Sequence, residues 1–184
     1  YGQAGRAAPD LVTAIPQFAV AGEGAGGGIG AADLALGWFR DRADATPQVL
    51  CEFKDIKSAL DAKQNRKGST RSPVQQCLDY LSHARRGMIG SEPVLPTWGL
   101  VTDMNEFRLY WWDRGSAEYL RFVIKGERDL FSQWDLLSEG RDAQFDRFLF
   151  WKLFQRDFLL SQAGRPPLLR LIERQWVRES KLEG

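Results

Sequence analysis

The chain has 184 residues, 43% hydrophobic and 27% charged, with a formal net charge of +1. That is room for one sizeable core in a globular fold, while a charge so near zero confines any nucleic-acid surface to a local patch. Two cysteines (Cys51, Cys77), one histidine (His83) and apolar runs too interrupted to span a bilayer argue against a membrane span, a disulfide framework, a zinc site of four cysteines or of two cysteines and two histidines, and a histidine-dependent hydrolase.

A reduced, cytoplasmic protein is the plain expectation. No export-signal pattern is visible, and a chain that opens on Tyr1 leaves its natural amino terminus open. The first distinctive stretch is AGEGAGGGIG, residues 21–30. Gly22, Gly24 and Gly27 satisfy GxGxxG, but a dinucleotide site needs that pattern between a strand and a helix. Here the extended segment ADLALGWF follows, so a flexible loop leading into a strand is expected.

Residues 32–40 and 47–54 are rich in aliphatic and aromatic side chains, and the charged DRAD between them suits a turn. A hairpin centred between Arg42 and Ala43 pairs residues whose numbers sum to 85 and sets Asp33 opposite Glu52. Directly opposed residues share a face about 4.5–5.5 Å apart, and Lys54 joins them by the period of two. Leu34, Leu36, Trp38, Val49, Cys51 and Phe53 form the other face, a core surface.

The polar segment 57–71 carries Lys57, Lys63, Arg66, Lys67 and Arg71 against Asp61 alone, a local excess of +4. Phosphate contact is the expected use of such a loop directly after the strand that carries Glu52 and Lys54; the bland alternative is a solvated connection. A helix over 73–86 follows, with Ser72 as N-cap, Pro73 in the first position and Gln75 completing a capping box. Val74, Cys77, Leu78, Leu81 and Ala84 give it one apolar stripe, with Gln76, Tyr80 and His83 expected roughly opposite. His83 reads as a surface residue.

Extended segments are predicted over 97–102, 107–112 and 119–124, with Asp103-Met104-Asn105 as the turn joining the first two. Trp98, Tyr110, Trp111 and Trp112 are expected in the core rather than stacked on bases. From about residue 144 the pattern turns helical, breaks at residues 164–167 and resumes. The first of these helices is apolar on more than one face, so cover from another domain or a second copy is expected around Phe150, Trp151 and Phe154.

Two carboxylates beside an ammonium are costly to assemble without a purpose, because like charges that close repel. Hard Mg²⁺ removes the conflict and retains several waters, and phosphodiester hydrolysis uses such parts. The order Asp, hairpin, Glu-x-Lys resembles the PD-(D/E)xK nuclease superfamily, with Ala32 where the name-giving Pro would stand. Gln76 and Tyr80 look like the QxxxY motif of its RecB-like members. VLCEFKDIKS, RSPVQQCLDYL and WGLVTDMNEFRLYWWD resemble the amino-terminal endonuclease region of type IIG restriction–modification and phage-defence methyltransferase polypeptides.

The resemblance implies an α/β fold with a mixed sheet of about five strands flanked by helices and a C-terminal helical extension. Residues 1–140 would form the nuclease domain, and 141–184 an extension or connector to a following domain. It implies a Mg²⁺-dependent DNA endonuclease, with Mn²⁺ as a substitute, in which Asp33 and Glu52 bind metal. Asp33, Glu52, Lys54, Gln76 and Tyr80 would be catalytic, and Lys57, Lys63, Arg66, Lys67 and Arg71 would contact DNA. Duplex DNA is the implied partner, with methyltransferase and target-recognition domains in the full-length chain, and a dimer is compatible with double-strand cleavage. The alternative is a nuclease-fold DNA-binding or interaction module without turnover, and for Asp33, Glu52 and Lys54 a solvated salt-bridge face.

Overall fold

The computed structural model describes residues 12–24, 28–39, 47–56, 58–64, 70–86, 96–123, 141–161 and 165–173. They form an α/β fold: a six-stranded mixed sheet with helices on both faces. The strands are β1 (Val12–Gly24), β2 (Gly28–Phe39), β3 (Val49–Phe53), β4 (Trp98–Thr102), β5 (Glu106–Trp111) and β6 (Tyr119–Val123). They lie in sequence order, antiparallel throughout except for the parallel pair β3–β4. A parallel pair needs a crossover, and α1 (Pro73–Arg86) lies on that connection.

The β2–β3 register is the one the turn chemistry predicts: Leu34 pairs with Cys51, Ala35 with Leu50 and Leu36 with Val49. The glycine-rich stretch departs from expectation. Its flanks belong to β1 and β2, which pair as far as Gly24 and Gly28, so cross-strand hydrogen bonds override the loop-like composition. This long hairpin adds the strand that the five-strand expectation lacks.

Helix α1 begins as expected, with Ser72 Oγ accepting from the Gln75 amide at 3.1 Å. The capping box is half made, because Gln75 Nε2 donates to Asp79 Oδ1 instead. The apolar stripe packs on the sheet: Val74, Cys77, Leu81 and Ala84 are buried. Approach is close where α1 crosses β3 and β4, with the Cys77 thiol 3.6 Å from Leu50 O and 3.9 Å from Leu100 O.

The other face is covered from the C-terminal part of the chain. Leu159, Leu160 and Leu168 pack in one core with Leu36, Val49, Cys51, Trp98, Leu100, Leu109 and Trp111. Leu159 belongs to the short α3 (Arg156–Leu159), and Leu168 to a helical segment over 167–173. Gln48 joins the two layers: its Nε2 donates to Ser161 O at 2.6 Å, and its Oε1 accepts from Ser161 N at 2.8 Å.

Helix α2 (Arg141–Leu153) is apolar on more than one face; of the surface expected to need outside cover, Trp151 is exposed, whereas Phe150 and Phe154 find partners within the chain. Phe150 packs edge-on against Phe107 and Phe122, and Phe154 beyond the helix does the same. Among the described residues of α2 the exposed aromatic side chains are Phe145, Phe148 and Trp151. Trp98, Tyr110 and Trp111 are core residues as predicted. Trp112 is not: it lies just past β5, 49% exposed, with the Arg85 guanidinium 3.6 Å over its ring. Among the described residues no helix is long and apolar enough to cross a membrane.

Candidate metal and phosphate site

The site is built where β2 parts from β3. Alternation along a strand should keep one parity of residue on each face. In the helix-side core, however, Ile15, Ala35 and Phe39 are odd-numbered, whereas Phe18, Val20 and Ala32 are even-numbered. The hairpin therefore exchanges faces between them, at Gln17 and Asp33. Gln17 has a φ of 49°, a left-handed conformation uncommon for a residue with a side chain. Such kinks re-aim side chains and end strand pairing.

At this bend Asp33 reaches across to the neighbouring strand. Its Oδ2 accepts a hydrogen bond from the Phe53 amide at 2.7 Å. The carboxylate thus takes the ladder position that the departing backbone of β2 gives up, immediately beside the peptide of Glu52. Strict alternation predicts that Asp33 and Glu52 face one another; the bend and this hydrogen bond are what bring the Asp33 carboxylate to the end of β3.

Glu52 and Lys54 share the face of β3 that carries Leu50, which packs with Tyr80 and Leu81 of α1. Lys54 Nζ donates to Glu52 Oε1 at 2.5 Å, with the two side chains only 7% and 2% exposed. The pair is not the solvated salt bridge that an amphipathic hairpin would give. The Lys54 amide donates to Thr102 O at 2.8 Å and fixes the backbone at the end of the β3–β4 ladder.

Burial pushes the Cys51 thiol well above its ordinary range, and negative charge on Asp33 and Glu52 adds to the shift. Cys77 is raised for the same leading reason. Neither cysteine is placed for thiolate chemistry.

Gln76 Nε2 donates to the Tyr80 hydroxyl at 2.7 Å, so the two residues four apart orient one another. Tyr80 is 6% exposed and joins the core beside the apolar stripe, a correction to its expected place on the opposite polar face. Its ring is a packing group and its hydroxyl a polar tip. His83 is half-buried.

Of the basic segment, Lys57, Arg66 and Lys67 lie outside the described residues. Lys63 is exposed. Arg71 is engaged by Asp79 at 2.7 Å, which locally offsets its charge. The described part of this segment is anchored: Leu60 is buried with Val74, Cys77, Val101 and Tyr110. Asp61 accepts at both oxygens from Arg108 Nη1 at 2.8 Å.

No local sequence pattern reports that anchor. Arg108 also donates to Glu106 Oε1 from Nε. Burial disfavours the Arg108 charge, but hydrogen bonds to Tyr110, Asp61 and Glu106 outweigh it and raise its pKa. An arginine in EFRLYW between core aromatics was the available signal.

Among the described residues no group of three or more His, Cys, Asp or Glu side chains is placed to hold a metal ion. Two carboxylates with a lysine are what the site offers. Comparison with protein-family models, with curated proteins and with solved structures finds no match to this chain.

Proposed function

We propose that this chain is a Mg²⁺-dependent DNA endonuclease module of the PD-(D/E)xK kind. The observation that carries the reading is the Asp33 carboxylate, held by the Phe53 amide at the end of β3, beside the buried Glu52–Lys54 pair. The topology supports it: Asp33 on the second strand, Glu52 and Lys54 at the end of the third, then a helix bearing Gln76 and Tyr80 before a parallel fourth strand.

The donor set fits a hard cation that keeps most of its waters, because Mg²⁺ is commonly held by one or two carboxylates. A bound ion of this kind would activate a water and neutralise charge on the phosphate. Asp33 is pre-oriented for it, since one bond to Phe53 leaves a carboxylate with further lone pairs. Glu52 sits in a water-poor environment that strengthens its attraction for cations. Lys54 would serve the attacking water or the phosphate. Gln76 and Tyr80 would position the DNA backbone, and Lys63 and its basic neighbours would contact phosphates. Duplex DNA as substrate, a restriction–modification or phage-defence setting with methyltransferase and target-recognition domains, and a cytoplasmic location are part of this proposal.

A second reading is favoured by one observation. Lys54 already balances the Glu52 charge, as it would in a nuclease-fold binding module without turnover. Titration with Mn²⁺, followed by electron paramagnetic resonance, separates the two. The nuclease reading expects saturable binding that is lost in Asp33→Asn and Glu52→Gln. Failure of the folded wild-type chain to bind the ion overturns it and leaves the binding module.

A further inference from the structure

We infer that the Lys54 ammonium is a built-in counter-ion that occupies the cation position at Glu52 and is displaced when a divalent cation loads. This rests on the nuclease reading of the site and adds a latch to it.

Three observations carry the inference. Lys54 Nζ contacts Glu52 Oε1 at 2.5 Å, and both side chains are almost wholly buried, at 7% and 2% exposure. Lysine is rarely buried unless it is paired, and a buried pair is costly to dehydrate. The pair is thus an internal neutralisation of Glu52 that needs no metal. Second, the Lys54 backbone is tied to Thr102 O, so only the side chain, with its four flexible carbons, has to move. Third, Lys54 is followed by exposed Asp55 and Ile56, so the chain meets solvent within two residues of the pair.

A cation about 2.0–2.1 Å from the Glu52 carboxylate and an ammonium still on the same group would be two positive charges only a few ångströms apart. In a buried site such charges repel strongly. Loading and release are therefore linked: the cation takes Glu52, and Lys54 swings towards solvent, the side from which a phosphate arrives. The apo site stays folded with the Glu52 charge balanced, and the cation concentration sets when the lysine is freed.

The test is lysine labelling on the intact wild-type chain. Reductive methylation at Lys54 is followed by mass spectrometry as Ca²⁺ or Mg²⁺ is raised, with exposed Lys63 as internal reference. The latch expects slow labelling of Lys54 without cation and a several-fold rise with it. That rise should half-saturate at the concentration that calorimetry gives for cation binding.

Cation binding with Lys54 still protected overturns the latch and leaves the nuclease reading standing. No cation binding at Asp33 and Glu52 overturns both. Lys54→Met gives a second readout. With the competitor removed, the variant should bind Mn²⁺ about tenfold more tightly, within the usual range of coupling between sites. Unchanged or weaker binding by the folded variant contradicts the latch.

Discussion

The Asp33 carboxylate accepts the Phe53 amide proton at 2.7 Å, across the point where β2 leaves β3. One group thereby ends a strand pair and fixes the orientation of a candidate metal ligand. Asp33→Ala should lower stability by about 1–3 kcal/mol, because it leaves the amide without its acceptor. Asp33→Asn keeps an acceptor and should cost less, while still losing cation binding. Urea unfolding of both variants measures this; equal stability of Asp33→Ala and wild type would show that the hydrogen bond contributes nothing.

Gln48 makes two hydrogen bonds to the backbone of Ser161, 113 positions away. They fasten the C-terminal layer to the start of β3. Gln48→Ala should cost about 1–3 kcal/mol and reduce amide protection in α3. Gln48→Glu should be at least as damaging, since it sets a carboxylate oxygen against Ser161 O. Hydrogen exchange unchanged in α3 would contradict this fastening role.

Gly99 marks the close approach of α1 to β4. A Cβ there would lie 2.9 Å from Cys77 Sγ, and that sulfur is wedged near Leu50 O and Leu100 O with little room to yield. Gly99→Ala should destabilise by about 1–3 kcal/mol, and adding Cys77→Ala should recover part of the loss. A double-mutant cycle reads the coupling; strict additivity would place the strain elsewhere.

Glu106 gives the fold a dependence on acid. A hydrogen bond from Arg121 lowers its pKa; burial opposes the shift, and Arg108 adds to the lowering. A carboxylate depressed on folding contributes stability that is present above its unfolded value, about 4.3, and lost as pH falls through its folded value. Glu106→Gln should therefore melt lower than wild type near neutrality, and the difference should shrink as the pH is brought down from about 5. A difference independent of pH would mean that the charge plays no part. Arg121 is exposed, so added salt should weaken its share.

The hairpin register shows how far the sequence reaches. A charged turn between two apolar runs is local information, and it predicts the pairing of Leu34 with Cys51 correctly. The helix over 73–86 and the strands from Trp98 to Val123 are legible for the same reason: capping residues, periodicity and an Asp-Met-Asn turn lie within a few positions of what they determine. Strand β1 is not legible, because Pro16 and its glycines read as breakers and only pairing with β2 holds them extended. The bend at Gln17 and Asp33 depends on two strands exchanging faces together. The Gln48–Ser161 and Asp61–Arg108 contacts join distant segments, and no spacing rule reaches them. At the site, Asp33, Glu52 and Lys54 could be named from residue type and pairing. The burial of the Lys54–Glu52 pair depends on tertiary packing, which a local pattern does not contain.

The most direct measurement is Mg²⁺-dependent cleavage of supercoiled plasmid, methylated and unmethylated, by the wild-type chain and by Glu52→Gln. Glu52→Gln is close to isosteric and keeps a hydrogen-bonding partner for Lys54. It should therefore remain folded by circular dichroism while cleavage falls by at least about a hundredfold, the scale set by removing a group that supports developing charge. Lys54→Ala should also cut the rate, by about a hundredfold or more, with cation binding retained. Wild-type cleavage by folded Glu52→Gln in Mg²⁺ would contradict the assignment of phosphodiester hydrolysis to this site.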